Sequence, residues 1–307
     1  MTLAVDISSL NKVFNAGRSN QVDALTDVDL QVTAGEFVSL IGPSGCGKST
    51  LLRLIADLLE PTAGSVAVNG KTSREARLDQ DYGMAFQQAG LFEWRSVAKN
   101  IELPLELKGW DKAKRHARAL EMLELVKLPD RADAMPWQLS GGQQQRIAIA
   151  RALAAHPSIL LMDEPFGALD EMTREHMQAE LLRICAATQT TVVFVTHSIP
   201  EAVFLSTHVA VMSARPGRIV ELIPVDLPQP RNDLTREDER VALDVMLRYS
   251  FSDLTKAQGW GAMDPAVWQE QITMYSQLGQ FTAATPKLDD VMTLDVLKAT
   301  QAARLKA

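Results

Sequence analysis

Two kinds of apolar pattern alternate along this chain. Residues 36–41, 158–164 and 190–197 are short, nearly continuous apolar runs that end in polar residues. That pattern predicts central strands of a parallel sheet covered on both faces. Residues 49–56 and 171–188 instead carry apolar side chains at helical spacing, so the order reads strand, loop, helix and later strand, helix, strand. An α/β fold follows, and in such sheets ligands bind beyond the carboxyl ends of the strands. From about residue 90 to 128 the pattern is charged and helical, with residues 111–126 forming one amphipathic, solvated helix and few strand signals. This reads as a helical insertion. Closely spaced prolines at Pro224, Pro228 and Pro230 mark a boundary, beyond which residues 232–307 form a separate tail.

Composition narrows the class without naming it. A chain of 307 residues with 46% hydrophobic content can bury a sizeable core. No apolar run approaches the roughly 18 residues of a membrane span, and the first residues lack a basic segment followed by an apolar one, so a cytosolic chain is expected. Cys46 and Cys185 are too few for a disulfide scaffold and are expected to be reduced. The net charge of -7 argues against nucleic acid as a general partner.

The chemistry begins at Gly42-Pro43-Ser44-Gly45-Cys46-Gly47-Lys48-Ser49-Thr50. Glycines let the backbone N–H groups of such a loop converge on one point, and the helix that follows aims its positive end there. The result is a phosphate nest. Lys48 is placed to reach the β and γ phosphates and Ser49 to hold Mg²⁺. Asp163 and Glu164 end an apolar run, where neighbouring strand positions point to opposite sides. Asp163 suits the Mg²⁺ shell, and Glu164 suits a water attacking the γ phosphate in line.

Leu139-Ser140-Gly141-Gly142-Gln143-Gln144-Gln145-Arg146 resembles the signature motif of ATP-binding cassette (ABC) proteins, and residues 163–170 resemble the Walker B and D-loop of that family. Over about residues 5–225 the chain resembles the nucleotide-binding subunit of an ABC transporter. The resemblance implies a P-loop NTPase (RecA-like) core with a mainly parallel sheet, an antiparallel β subdomain, a helical signature subdomain at about 90–155 and a C-terminal helical extension at 229–307, the cassette itself ending near 228. It implies ATP and Mg²⁺ as ligands, with Glu164, His197 and Gln87 as catalytic residues. ATP binding falls to Phe14, Gly42, Ser44, Gly45, Gly47, Lys48, Ser49, Thr50, Ser140, Gly141, Gly142, Gln143 and Asp170, and metal binding to Ser49, Gln87 and Asp163. Phe14 stands where the family places an aromatic against adenine. One chain already carries a complete phosphate cradle at Lys48, so the second anion site at the helix opened by Ser140 needs another user. In the family that user is a second subunit packed head to tail.

No membrane-spanning segment is fused to the cassette, which resembles importers with a separate permease. Residues 163–170, 196–202 and 213–219 resemble the nitrate/sulfonate/taurine group, which includes importers of pyrimidine precursors of thiamine. The implied partners are a second ATP-binding subunit (a homodimer), an integral membrane permease and, indirectly, a periplasmic or lipid-anchored substrate-binding protein, with the chain peripheral on the cytoplasmic face of the membrane. A soluble ABC ATPase of translation or DNA maintenance is the competing class. Two local readings stay open: Phe92 and Trp94 are a docking surface or core of the helical region, and the tail, faintly similar to the last helices of binding proteins, is a regulatory extension or an inert remnant.

Overall fold

A computed structural model of the chain describes residues 2–227; the expectations for 229–307 lie outside the described residues. The chain opens with two long strands, β1 (Leu3–Phe14) and β2 (Val22–Thr33), then β3 (Phe37–Ile41) and α1 (Lys48–Ile55). There follow β4 (Ala63–Val68), β5 (Lys71–Thr72), α2 (Ser73–Leu78), β6 (Tyr82–Ala85), α3 (Val97–Leu107), α4 (Lys112–Leu125) and α5 (Gly141–Ala154). The described part closes with β7 (Ile159–Asp163), α6 (Glu171–Thr188), β8 (Thr191–Val195), α7 (Ile199–Leu205), β9 (His208–Met212) and β10 (Ile219–Pro224).

These strands make two sheets. One has the order β2-β1-β4-β5 and is antiparallel throughout. The other has the order β10-β9-β3-β8-β7-β6 and is parallel except for β10 at its edge. The three apolar runs of the sequence are its centre, and every residue of β3, β7 and β8 is buried. Alternation explains why these strands are apolar throughout. Leu160, Met162, Val192 and Phe194 enter one core cluster with α3, α4 and α5, whereas Ile159, Leu161, Val193 and Val195 enter the other with α1 and the antiparallel sheet. On the first face Phe194 sits between Phe37 and Phe166, with ring centroids 5.7 Å apart in each pair. Truncating such a side chain to alanine costs about 3–5 kcal/mol.

The helices start where side chains replace the missing backbone partners. Ser96, Asp111, Ser140, Asp170 and Ser198 cap α3, α4, α5, α6 and α7 respectively. The helix expected over 111–126 is α4, shorter by one residue at each end because Asp111 is its cap and Val126 its C-terminal neighbour. No helix of the described residues is long and apolar enough to cross a membrane.

Candidate functional site

A cleft of about 370 Å³ opens at the carboxyl end of β3 and the start of α1. It is lined by Phe14, Val22 and Ala24 of the antiparallel sheet, by Ser44, Gly45, Gly47, Lys48, Ser49 and Thr50, and by Gln87, Glu164, His197 and Arg215. Gly47 stands just before α1 with φ +105°, and a Cβ there would lie 2.7 Å from Leu25 Cδ2. Only glycine permits that turn, so the loop can wrap back over its own helix. Lys48 is almost wholly buried, and its ammonium donates to the carbonyls of Gly42 (2.7 Å) and Pro43 (3.1 Å). Gly42 therefore supports the lysine from beneath and is not itself in the cleft lining.

Three groups separated widely in sequence meet at the far end. His197 Nε2 is 2.6 Å from Glu164 Oε1, and Gln87 Nε2 donates to Glu164 Oε2 at 3.2 Å. Beneath them the Ser49 hydroxyl donates to Asp163 Oδ1 at 2.8 Å, with Asp163 buried. The strand reading of the paired carboxylates needs correction. Strand β7 ends at Asp163, and Glu164 adopts φ +48°, with its N–H bonded to Val195 O at 3.0 Å. The two acids are separated by a left-handed residue, not by pleat alternation, and that conformation is costly for a side chain with a Cβ, about 1–3 kcal/mol.

Behind Glu164 and His197 lies a smaller cavity of about 200 Å³ that includes Thr196, Arg174 and Glu201. Glu201 accepts from the Thr196 hydroxyl and from Gln178 Nε2 (2.7 Å), and Thr196 Oγ1 accepts from Ser198 N at 3.0 Å. These bonds brace the turn that carries His197. Burial pushes the Glu201 carboxyl above its ordinary value.

Ser140, Gly141, Gly142, Gln143 and Asp170 are not brought to this cleft within the chain. The Ser140 hydroxyl accepts from Gln143 N (3.3 Å) while Gln143 Oε1 accepts from Ser140 N (3.0 Å), a reciprocal cap at the start of α5. Asp170 caps α6 by accepting from Thr173 N at 3.0 Å, and that backbone bond, with one from the Thr173 side chain, holds its carboxyl below the usual range. Gly142 lies close to the D-loop, since a Cβ there would meet Ala168 O at 3.3 Å. Phe14 does line the cleft, and Lys12 Nζ sits 5.0 Å from its ring centroid.

Comparison with known proteins gives this arrangement a family. The ABC transporter family matches residues 25–167. The aliphatic sulfonates import ATP-binding protein SsuB of Bacillus subtilis (strain 168) is 44% identical over 84% of this chain and all of that protein. The nitrate import ATP-binding protein NrtD of Synechocystis sp. is 45% identical over 73% of this chain and 83% of that protein. Among solved structures, the dimeric ATP-binding cassette MJ0796 in a post-hydrolysis state with ADP and Pi is similar with TM-score 0.67 and 36% identity, covering 73% of this chain and 100% of that one.

The chain belongs to the ABC transporter family. This ABC protein is an ATP-binding, ATP-hydrolysing subunit with the P-loop NTPase fold expected from its motifs. Sequence reasoning passed over Val22, Ala24 and Arg215 in the cleft and Glu201 behind it. Arg215 and Glu201 lie in stretches whose residues, His197 apart, had carried only the subgroup resemblance. Of the two readings of the aromatic pair, burial in the core fails. Trp94 is 75% exposed and Phe92 36%, the rings resting on each other at 5.0 Å, while neighbouring Leu91 packs against the core.

Proposed function

We propose that this chain energises a membrane importer of small solutes of the nitrate/sulfonate/taurine kind, by ATP-driven closure of a dimer of cassettes coupled to a separate permease. The observation that carries the reading is the division of parts. One cleft holds the P-loop and the Glu164–His197–Gln87 cluster, while the signature residues of the same chain stand outside it. The N-terminus of α5, standing outside this cleft, suits the γ phosphate held by a second subunit, so two copies complete two sites. Relatives named for sulfonate and nitrate import favour this reading over a role in translation or DNA maintenance.

In the proposed mechanism Phe14 stacks on adenine, with Val22 and Ala24 forming the apolar wall beside it. Ser44, Gly45, Gly47 and Thr50 present backbone and hydroxyl donors to the phosphates, and Lys48 turns from the loop carbonyls to the β and γ phosphates. Ser49 and Asp163 offer two hard oxygen donors already 2.8 Å apart, a donor set that fits Mg²⁺, and the Gln87 carbonyl adds a third. When bound, Mg²⁺ neutralises charge on the β and γ phosphates. Glu164 accepts a proton from the attacking water, and His197 orients the Glu164 carboxylate and the γ phosphate. Gln87 reports the state of the cleft to the helical region through the chain that follows it, and Asp170 faces the partner subunit. The exposed Phe92–Trp94 pair docks the permease on the cytoplasmic face of the membrane.

On this reading the neighbouring genes encode a permease and a binding protein, and the test is reconstitution with them. ATP-dependent uptake into proteoliposomes is expected, with loss on Glu164→Gln. A chain that recovers ribosomes and no permease on purification, and supports no uptake, refutes the reading.

A further inference from the structure

We propose that Arg215 is a nucleotide ligand: its guanidinium contacts the polyphosphate of ATP and ADP from the rim of the P-loop. The inference rests on the cleft being the ATP site and adds a cation that none of the phosphate-loop motifs contains.

The argument starts from how residues 213–218 are held. Gly217 N donates to Ala24 O at 2.9 Å and Thr26 N to Gly217 O at 3.0 Å, so this loop is joined to β2, the strand that supplies the apolar wall of the cleft. Gly217 presses on the back of the P-loop, where a Cβ would lie 2.0 Å from Cys46 O. Only glycine fits there. Ser213 closes the loop on itself, its hydroxyl donating to Pro216 O (3.1 Å) and accepting from Arg218 N (3.1 Å). Residue 215 is therefore fixed over the P-loop by its neighbours on both sides.

The side chain then crosses to Gly45. Arg215 Nε and Nη2 both point at Gly45 O, at 3.4 and 3.3 Å, longer than the usual 2.9–3.0 Å of such bonds. A guanidinium carries five N–H donors, so three remain for other acceptors. Among the described residues no carboxylate forms an ion pair with it. The group is exposed and lines the same cleft as Ser44, Gly45 and Lys48. A planar cation with free N–H groups beside a phosphate cradle matches the geometry of phosphate oxygens, which guanidinium binds in a fork. Its anchor is Gly45 of the phosphate loop and not Phe14 at the base end, which assigns it to phosphate and not to adenine.

The experiment measures binding of ATP, ADP and GTP to the full chain by calorimetry, for wild type, Arg215→Ala, Arg215→Lys and Lys48→Ala. Arg215→Ala is expected to weaken ATP and ADP about tenfold, and GTP by a similar factor, because charge-assisted bonds to phosphate do not depend on the base. Arg215→Lys restores part of the loss, since lysine keeps the charge and loses the fork. ATP affinity within twofold of wild type in Arg215→Ala, with Lys48→Ala impaired, overturns the inference and leaves the cleft assignment intact. Normal binding by Lys48→Ala overturns the cleft assignment itself. A defect for ATP and not GTP, or one confined to concentrations at which the chain dimerises, also overturns the phosphate contact. An unchanged thermal midpoint in Arg215→Ala is expected, given the exposure of the side chain.

Discussion

Replacing Asn100 should separate the machinery that hydrolyses ATP from the surface that transmits it. Asn100 lies in α3 with no solvent exposure. Its Oδ1 accepts from Phe92 N at 2.8 Å, and its Nδ2 donates to the carbonyls of Phe92 (3.1 Å), Arg95 (2.9 Å) and Ser96 (3.1 Å). One side chain thus fixes the turn that displays Phe92 and Trp94. In Asn100→Ala the Phe92 N–H and the Arg95 carbonyl lose their partner, while the carbonyls of Phe92 and Ser96 still accept from Arg95 N (3.0 Å) and Asn100 N (2.8 Å). Two unpaired groups at ~1–2 kcal/mol each amount to a loss of about 2–4 kcal/mol. Asn100→Leu fills the volume without the bonds and should lose a similar amount, which rules out a cavity as the cause. Urea unfolding followed by far-UV circular dichroism measures the loss. Asn100 lines no part of the nucleotide cleft, so basal ATPase should persist at temperatures where both variants stay folded, while stimulation by the permease falls. Stability within about 0.5 kcal/mol of wild type, the range of an ordinary surface change, together with normal stimulation, refutes the reasoning.

Glu164→Gln should lower turnover by about 10²–10⁴, the share of a positioned general base, and trap an ATP-bound dimer on gel filtration; hydrolysis near the wild-type rate removes Glu164 from that role. Lys48→Ala should weaken ATP itself by about tenfold or more, as for a lost charge-assisted bond, which equilibrium binding in the absence of turnover measures. Glu201 gives a pH signature. Burial raises its carboxyl above 4.5, so the folded chain holds a proton there that the unfolded chain has released. Wild-type stability relative to Glu201→Gln should therefore fall as pH rises from 4.5 through the raised value and stay level above it; a wild type that gains stability relative to Glu201→Gln with rising pH contradicts the burial.

Several elements were legible because burial on both faces leaves a continuous apolar run. Strands β3, β7 and β8 lie inside the three runs, and α6 has the bounds its pattern predicts. The antiparallel sheet was not legible in the same way. Strand β1 pairs with β2 through four register shifts, and each shift moves the apolar set to the other face, so its burial never alternates cleanly over its length. The left-handed turn at Glu164 also left no mark, since nothing in an Asp-Glu-Pro stretch announces φ +48°.

What the sequence determined by itself was local chemistry: a nest of N–H groups before a helix, a carboxylate at a strand end, a capped helix start. Spacing along the chain is enough for these, because each is built from residues within a few positions of one another. Tertiary structure decided which of them meet. Gln87 and Glu164 are 77 positions apart, Ser49 and Asp163 are 114, and Arg215 and Gly45 are 170, and each pair is joined by the order of strands in the parallel sheet or by the loop behind it. The same sheet leaves the signature helix outside the cleft that holds Lys48. Local propensity writes the groups, but only the packing of distant strands fixes the few ångströms between them on which hydrogen bonds and proton transfer depend.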